Sequence, residues 1–384
     1  MDAPLVALLG RQEKPTDGIE DYCRYLAAAL ARQSVTMETA RFKWDEVGWI
    51  SALRELRRRS SEWRGRWVVV HYTALAWSRR GFPLGVLVAL AILRRRGVRC
   101  AVLFHEPVRQ GSPARLRDKL RGAFQEWMIR NCFRNAQRAI FTVPLETIAW
   151  LPRNRSRAVY IPIGANIPER VLPRDSSELN PSTPKTVAVF CLSLGENRLT
   201  EIADLAHAAE RVRDSVGAVR FVVLGKGSAE AREEIESAIS SKDVEMRVLG
   251  RLPAVEVANT LATADVLLYL GGHVTQTRGS ALAGVACGLP IVGYTGAARE
   301  PIYDAGVELA PYGDREALAT ALVRVLKDNA LRSDLRRRSS AAQRSFSWKS
   351  IADAYIEAFE LGRTTVIGIP NSAPRGKSNA AFNR

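Results

Sequence analysis

The chain has 384 residues, 47% of them hydrophobic and 25% charged, which is the composition of a folded protein with room for about two domains. The longest apolar run, Leu84 to Leu93, is about half of the ~20 residues that a membrane-spanning helix needs, so we expect no transmembrane segment. The five cysteines are scattered and form no CxxC pair, which argues against a zinc site and fits a reducing cytoplasm. The first residues, MDAPLVALLG, lead directly into a strand-like run, so no signal peptide is expected.

The positive charge is concentrated in the first half of the chain. Residues 1–165 contain 29 Lys/Arg against 14 Asp/Glu, a net charge of +15, whereas residues 166–384 carry a net charge of +1. This asymmetry indicates a polyanionic partner for the first half, either nucleic acid or an anionic membrane surface. A genome that favours arginine codons is the alternative explanation, but it should raise the net charge of the second half as well.

Apolar runs alternate with helical patterns throughout the first half, which predicts a doubly wound, mostly parallel sheet. Ligands of such sheets bind beyond the carboxyl ends of the strands. The predicted strands are Leu5–Leu9, Val35–Ala40, Trp67–Tyr72, Arg99–His105, Arg138–Val143 and Ala158–Pro162, with helical patterns such as Ile19–Arg32 and Leu84–Arg96 between them.

The same alternation resumes at Thr186 and ends with two helical patterns, Arg315–Lys327 and Trp348–Leu361. Between the halves, the prolines and serines of residues 169–185 predict a stiff linker. We therefore predict a first domain at residues 1–168 and a second domain at residues 186–346. A final helix at 347–362 and a polar, disordered tail at 363–384 complete the predicted chain.

The segment from Gln276 to Glu300 is the central candidate for a ligand site. Its sequence is QTRGSALAGVACGLPIVGYTGAARE. Small residues at positions 279–281 predict a helix start that a ligand can approach, and Gly288 predicts the end of that helix. A buried strand follows, and another helix is predicted from Ala297 to Asp304. The unpaired N–H groups of a helix N-terminus suit a phosphate, although an ordinary packed βα unit would show the same pattern.

Within this segment ACGLPIV, followed by EPIYDAGVELAPYGDREALATALVRVL, closely resembles the nucleotide-sugar half of GT-B glycosyltransferases, a family that includes bacterial mannosyl- and glucosyltransferases. The resemblance is weak in the first half of the chain and strong from about Val187 onward. It implies two Rossmann-like domains with a cleft between them and a C-terminal helix that crosses back onto the first domain. It also implies an acceptor in the first domain and a nucleotide-sugar co-substrate in the second, with no cofactor and no metal ion.

The loop after the first strand contains Asp17-Gly18-Ile19-Glu20 and resembles the family's Gly-Gly-x-Glu loop, which lies against donor phosphate and acceptor. The resemblance makes Gly18 a candidate donor-binding residue. Asp17 replaces the first glycine of the loop, and an aspartate at this point is equally a good helix N-cap.

Two histidines stand at the ends of the third and fourth predicted strands. His105 matches the histidine that the family places against the donor sugar, so the resemblance makes it a candidate catalytic residue. Its imidazole could donate to a sugar hydroxyl or carry charge near the reacting carbon. His71 and Glu106 are candidate acceptor-binding residues. The alternatives are structural histidines and a surface carboxylate.

In the second half, the resemblance implies that Arg198 binds the donor diphosphate, which makes it a second candidate catalytic residue. The alternative interpretation is an exposed arginine at a helix start. A guanidinium and a hydroxyl at a helix N-terminus can both donate to phosphate oxygens, and a carboxylate can accept from a sugar hydroxyl. The candidate donor-binding residues are Gly225, Lys226, Arg251, Arg278, Gly279, Ser280, Gly296 and Glu300.

The sequence departs from the family at two positions. Most relatives carry two glutamates eight positions apart, for the sugar hydroxyls and the ribose, where this chain has Thr275 and Ala283. We interpret the segment as a variant donor site, with lost activity as the alternative.

An amphipathic helix is predicted from Arg115 to Phe133. Arg115, Arg117, Lys119 and Arg121 give its first half a basic character, and its apolar residues recur every four positions. A core-facing helix with a solvated basic face is one interpretation. A helix on anionic lipid, with Phe124 and Trp127 inserted, is the other.

The resemblance thus implies a retaining, metal-independent glycosyltransferase. Together with the charge asymmetry, it predicts a cytoplasmic protein that is peripheral to the inner face of the membrane. It would transfer a sugar from a nucleotide-sugar donor to a lipid-linked or polysaccharide acceptor during bacterial cell-surface glycan synthesis. No specific nucleic acid is expected as a partner. A nucleotide-sugar epimerase of the same fold, an inactive relative and a nucleic-acid-binding relative are the alternatives.

Overall fold

The structure, a computed structural model, describes residues 5–12, 17–107, 116–168, 184–239 and 243–361. These residues form two six-stranded sheets in which all paired strands are parallel. No helix of the described residues is long and apolar enough to cross a membrane.

The first sheet has the strand order β2-β1-β3-β4-β5-β6. Its strands are β1 (Leu5–Leu9), β2 (Met37–Arg41), β3 (Trp67–Tyr72), β4 (Arg99–Phe104), β5 (Arg138–Phe141) and β6 (Ala158–Tyr160). The helices around it are α1 (Gly18–Ala31), α2 (Trp44–Val47), α3 (Trp49–Arg59), α4 (Gly85–Arg95) and α5 (Leu116–Asn135). Every residue of β1 and β3 is buried, as expected for central strands that helices cover on both faces.

The second sheet has the strand order β12-β11-β10-β7-β8-β9. Its strands are β7 (Lys185–Phe190), β8 (Val219–Leu224), β9 (Val244–Gly250), β10 (Val266–His273), β11 (Ile291–Tyr294) and β12 (Val307–Ala310). The helices are α6 (Arg198–Val216), α7 (Arg232–Ala238), α8 (Ala254–Ala262), α9 (Gly279–Ala286), α10 (Arg315–Lys327) and α11 (Asn329–Ala342).

Both sheets are doubly wound, which confirms the predicted fold class. The strand order reverses between β1 and β3 in the first sheet and between β7 and β10 in the second. In open parallel sheets a crevice forms at the carboxyl ends of the strands at such reversals, and ligands bind there. The topology therefore places the candidate residues at the ends of β3, β4, β7 and β10 close to these crevices.

The final helix, α12 (Trp348–Phe359), returns from the second domain to the first, as predicted. Its apolar side chains share one buried cluster with the α1 face of the first sheet. Trp348 stacks on Tyr25 with ring centroids 5.4 Å apart, and Phe359 contacts Trp67 at 4.9 Å. The Trp348 indole N–H donates to the Ala165 carbonyl at 2.8 Å, so the helix is fixed by both packing and a buried hydrogen bond.

Some predicted elements differ from the observed ones. The helix predicted from Ala297 is absent: residues 297 and 298 form a bend, and a single 3₁₀ turn follows at Pro301–Asp304. Pro301 lacks an N–H group and restricts the residue before it, so an earlier helix cannot continue through it. Most of the predicted linker (residues 169–183) and the predicted tail lie outside the described residues. The domain boundaries stay predictions.

Candidate functional site

Asp17 begins α1 and acts as its N-cap. Its Oδ1 accepts from the backbone N–H groups of Ile19 at 3.0 Å and Glu20 at 3.2 Å. Arg41 lies on the other side of the carboxylate, with Nη1 3.3 Å from Oδ2. The aspartate is thus engaged by the fold, which supports the capping interpretation of the loop.

The surroundings of Gly18 and Glu106 neither support nor exclude donor binding by the first and acceptor binding by the second. The Gly18 carbonyl accepts from Asn166 Nδ2 at 3.0 Å, and a Cβ at Gly18 would come no closer than 3.9 Å to that amide. The fold therefore does not require a glycine there. Glu106 is exposed just beyond β4. Both roles stay predictions.

The two strand-end histidines contact each other. His71 Nδ1 lies 3.1 Å from His105 Nε2, and the Cys23 thiol lies 3.5 Å from His71 Nε2. Tyr22 packs edge-on against the His105 ring at 5.9 Å, and its hydroxyl lies 3.1 Å from that of Tyr355 in α12. His71 is only 1% exposed, and its predicted role in acceptor binding stays a prediction.

Burial keeps both imidazoles neutral near pH 7. It lowers the pKa of His71 well below 6.5, and the nearby His105 acts in the same direction. Burial also lowers the pKa of His105 to about 4, although the Asp17 carboxylate acts to raise it. Of the two chemical roles predicted for His105, the geometry therefore favours a neutral hydrogen-bonding group over a cation.

The start of α9 brings together the three candidates at positions 278–280. The Ser280 hydroxyl bonds to that of Tyr269, which itself donates to the Gly271 carbonyl at 3.0 Å. Burial raises the pKa of Tyr269 to about 12, while the exposed Arg278 is near enough for its charge to oppose that rise. A Cβ at Gly279 would meet nothing within 4 Å, so this helix start is open to a ligand.

A buried carboxylate near this helix start was not among the predicted residues. Glu201, in α6, is almost fully buried and accepts from the Ser193 hydroxyl at 2.6 Å and the Ser193 N–H at 2.7 Å. Burial raises its pKa, and its charge acts on Tyr269. The one sequence signal was a glutamate on the apolar face of α6. Glu201 fixes the loop after β7, where the order of the second sheet reverses.

Arg198 and Arg251 are each paired with a carboxylate of their own domain. Arg198 Nη2 lies 2.8 Å from Glu234 Oε1, and Arg251 Nη2 lies 3.4 Å from Glu230 Oε1. A phosphate would have to compete with these carboxylates. Within the described part of the chain, by contrast, no carboxylate lies within 4 Å of the Arg278 guanidinium. The structure thus brings Arg278, rather than Arg198, to an open helix start.

The Gly225-Lys226-Gly227 turn packs against the end of β7. Both glycines have positive φ, and a Cβ at Gly227 would lie 2.2 Å from the Leu192 carbonyl oxygen. The Lys226 carbonyl in turn accepts from the Leu192 N–H at 2.8 Å. These glycines are required by the chain's own loop packing, and a nucleotide contact at Gly225 or Lys226 stays a prediction.

Glu300 places a carboxylate beside Thr275, one of the two positions where most relatives carry a glutamate. The Thr275 hydroxyl and the Gln276 N–H both donate to it, while burial raises its pKa. Its Oε2 atom is buried with no hydrogen-bond partner. Nearby, the Gly296 N–H donates to the Tyr303 hydroxyl at 2.8 Å, so that group is already engaged.

Gln276 joins the two domains at this point. Its side-chain amide accepts from the Tyr160 hydroxyl at 3.0 Å and donates to the Thr142 carbonyl at 3.2 Å. The Thr142 hydroxyl lies 3.3 Å from the backbone oxygen of His105. A short chain of hydrogen bonds thus connects His105 in the first domain with the residue two positions before Arg278 in the second.

Metal ligands do not cluster in the part of the chain that the structure describes: no three His, Cys, Asp or Glu residues there could hold a metal ion. All five cysteines are free thiols. The metal independence implied by the resemblance stays a prediction.

Comparison with known proteins agrees with the geometry. Residues 185–328 match the family model described as Glycosyl transferases group 1. The phosphatidyl-myo-inositol mannosyltransferase of Mycobacterium leprae is 28% identical over 215 residues, and this match spans 55% of each chain. The chain thus covers about half the length of this curated relative.

Two solved structures share the fold over most of the chain. Anabaena HepE, solved with UDP-glucose, superposes with a TM-score of 0.63 at 15% identity over 93% of this chain and 99% of HepE. WaaG, a glycosyltransferase involved in lipopolysaccharide biosynthesis, superposes with a TM-score of 0.57 at 14% identity over 92% and 99% of the two chains. Residues 185–328 are therefore similar to the group 1 glycosyl transferases, and the chain shares the GT-B fold of these two structures.

Proposed function

We propose that this protein transfers a sugar from a nucleotide-sugar donor, bound at α9, to an acceptor bound by the first domain. The observation that carries the proposal is the Gln276 connection, because it holds the strand end of His105 against the segment that contains Arg278. A donor bound at the open helix start would present its sugar to the gap between the domains. HepE, which shares the fold, was solved with UDP-glucose.

The chemical task is to stabilise a nucleoside diphosphate as its bond to the sugar breaks. Negative charge develops on the leaving oxygens, so donors that are already fixed in place give the largest gain. The N–H groups at the start of α9, the exposed Arg278 guanidinium and the Ser280 hydroxyl are such donors. Ser280 is held by Tyr269, so it costs little to orient.

His105 would act as a neutral hydrogen-bonding group towards the sugar, consistent with its low pKa. Glu300, a carboxylate beside Thr275, would take the place of the missing glutamate towards a sugar hydroxyl. The leaving phosphate would accept the acceptor's proton. Retention of the anomeric configuration belongs to this proposal.

The acceptor, by this proposal, is met at an anionic membrane surface on the cytoplasmic side, as in the synthesis of a lipid-linked or cell-surface glycan. Residues 74–105 contain six arginines and no acidic residue. Trp44, Trp49 and Trp77 line a groove of about 320 Å³ with Arg79 at its edge. Phe82 and Leu84 line this groove. The large apolar side chains exposed within residues 44–88 are Val47, Ile50, Leu75, Phe82, Leu84 and Val88. Arginines that frame exposed apolar groups suit the headgroup boundary of an anionic bilayer.

The α5 helix contributes differently from the prediction. Phe124, expected to insert into lipid, packs on the core and against Phe82, with ring centroids 5.0 Å apart. Leu120 and Trp127 are large apolar side chains of this helix that are exposed. Arg115 and the side chain of Arg117 lie outside the described residues, so their part in the basic face stays a prediction.

Thermal stabilisation by nucleotides tests the proposal. A ligand that binds only the folded state raises the melting temperature in proportion to the logarithm of its concentration over Kd. UDP, GDP and ADP, and their sugar conjugates, would be titrated into the full chain. Stabilisation by one nucleotide, followed by sugar transfer or donor hydrolysis, would support the enzyme. No binding at millimolar concentrations would contradict it, and conversion of the donor to an epimer would favour the epimerase alternative.

A further inference from the structure

Two arginines at the carboxyl ends of the second sheet are held by one short stretch of chain. Arg198 begins α6 after β7, Arg251 follows β9, and their carboxylate partners are Glu234 and Glu230. The two glutamates are four positions apart, Glu230 in the turn before α7 and Glu234 within that helix. A single turn and helix thus hold cations that come from two separate strand ends.

These strand ends lie beside the proposed nucleotide site. The strands β10, β7, β8 and β9 are successive neighbours, so their ends span about 14 Å, a length that an extended nucleoside diphosphate matches. Cys191, at the end of β7, is close to both regions. Burial raises the pKa of its thiol, while Lys226 and Arg251 oppose the rise. The same thiol acts on Tyr269, which bonds to Ser280 at the start of α9.

The two ion pairs are weak enough to give way to a phosphate. Their four side chains are between 29% and 43% exposed, and ion pairs with this much exposure contribute little because water screens them. Within the described residues each pair has one hydrogen bond, at 2.8 Å for Arg198 and 3.4 Å for Arg251. A diphosphate carries more negative charge and more acceptor oxygens than a carboxylate, so it can displace either glutamate.

We propose that Glu230 and Glu234 hold Arg198 and Arg251 in the nucleotide-free protein and release them when a nucleotide binds. The glutamates then compete with the nucleotide and lower its affinity, because their ion pairs have to be broken. They recapture the arginines as the nucleoside diphosphate product leaves, which speeds its release. The identity of the anion rests on the proposed function, whereas the competition for the arginines does not.

Replacement of both glutamates by Gln removes their charge and keeps their size. Glu230→Gln with Glu234→Gln should tighten binding of UDP, GDP or ADP by ~3-fold to 10-fold in isothermal titration calorimetry. The matched control is Glu233→Gln with Glu236→Gln, which removes the same charge from the same helix. Glu233 is exposed and Glu236 pairs with Arg232. An equal gain in the control would show a general effect of charge and would overturn the inference.

Removal of an arginine gives the second test. Arg198→Ala should weaken nucleotide binding at most ~2-fold in the wild type, because the lost phosphate contact is offset by the ion pair that no longer has to be broken. In the Gln variant of Glu230 and Glu234, the same change should weaken binding by ~5-fold or more. A double-mutant cycle measures this coupling, and independent effects of the changes would contradict the competition.

Product release gives a kinetic readout. The dissociation rate of a fluorescent analogue of the nucleoside diphosphate, measured by stopped flow, should fall in the Gln variant by about the factor that its affinity gains. Weaker binding in the Gln variant would show that the glutamates orient the arginines for the phosphate. Unchanged binding would show that the arginines do not meet it. Either result would overturn the inference.

Inorganic pyrophosphate, titrated in parallel, separates this inference from the proposed function. Binding of pyrophosphate that is tighter in the Gln variant would support the competition even if UDP, GDP and ADP all failed to bind, a failure that would contradict the proposed function. Nucleotide binding that responds equally in the Gln variant and in its control would leave the proposed function standing and remove the competition. Pyrophosphate and nucleotides that all fail to bind would overturn both.

Discussion

The side-chain amide of Gln276 donates to the carbonyl oxygen of Thr142 across the boundary between the two domains, at 3.2 Å. The same amide accepts from Tyr160, so both of its polar atoms are used on the first domain while its backbone belongs to the second. Gln276 has no exposed surface. Its backbone N–H also donates to Glu300, so the residue that joins the domains also contacts the segment proposed to bind the donor.

Replacement of Gln276 by Ala should loosen this connection. The change leaves the buried Thr142 carbonyl and the partly buried Tyr160 hydroxyl without this partner, at a cost of about 1–3 kcal/mol in the free energy of unfolding. If the domains then separate, small-angle X-ray scattering should show a larger radius of gyration. The control is Gln343→Ala, which removes an amide bonded to the Ala286 carbonyl within the second domain. Equal radii for the two variants would contradict the role of Gln276.

Arg278 should dominate nucleotide affinity among the candidate arginines. It stands at the open start of α9, whereas the Arg198 and Arg251 guanidinium groups are paired with glutamates. We expect Arg278→Ala to weaken binding of the nucleoside diphosphate by ~10-fold or more, since charge-assisted bonds to phosphate are strong. Isothermal titration calorimetry measures this, with Arg220→Ala on the outer strands as the control. If Arg198→Ala weakened nucleotide binding as much as Arg278→Ala, the predicted role of Arg198 in binding the diphosphate would be supported instead.

The low pKa of His105 should make the protein sensitive to acid. Its folded-state pKa of about 4 lies below 6.5, so between these values the unfolded chain binds a proton that the folded chain does not. This stability is fully present above pH 6.5 and is lost as pH falls towards 4. His105→Asn should therefore reduce the loss between pH 7 and pH 4 by up to about 3 kcal/mol. Chemical denaturation at several pH values measures the free energy of unfolding of the two proteins. If it falls by the same amount in both between pH 7 and pH 4, the prediction is wrong.

The apolar face of the first domain should bind anionic vesicles. Ile50 and Leu84 are 68% and 52% exposed, and Arg79 lines the same groove as Leu84. Changing both to Ser should reduce sedimentation with vesicles that contain phosphatidylglycerol, while nucleotide affinity stays unchanged. Added salt should weaken the wild-type interaction, because each Lys or Arg near the surface contributes about 1 kcal/mol of screened attraction.

Leu199→Ser with Val255→Ser removes exposed apolar groups from the second domain and is the control for this face. Equal binding to neutral vesicles would argue against electrostatic docking. A protein that instead sediments as a dimer, and loses the dimer in the Ile50 and Leu84 variant, would assign the face to a second copy of the chain.

The fold could be predicted from the sequence where the pattern is local. Trp67–Tyr72 and Arg315–Lys327 have the predicted bounds, because an unbroken apolar run and a capped amphipathic repeat each specify their own ends. The helix α11 was missed, since its arginines and serines blur the apolar stripe, and the cap at Asp328 was the remaining signal. Where a single proline decided the outcome, as at Pro301, the predicted helix was wrong.

The site was harder to predict because its partners are distant in sequence. Gln276 and Tyr160 are 116 positions apart, and no spacing rule connects them. The sequence placed Arg198 and Arg278 at helix starts but could not show that a glutamate on α7 would hold the first. It marked both histidines, yet their contact depends on the pairing of β3 with β4.

The return of α12 to the first domain has a consequence for the order in which the protein is completed during synthesis. Domains generally fold as units in the order in which they leave the ribosome. Here the layer that covers α1 contains Trp348, Tyr355 and Phe359, which are translated after the entire second sheet. The core of the second domain can therefore form before α12 has been translated and can pack on the first domain. A chain that ends before residue 348 would therefore carry a second domain with all its strands, tethered to a first domain that lacks its last helix.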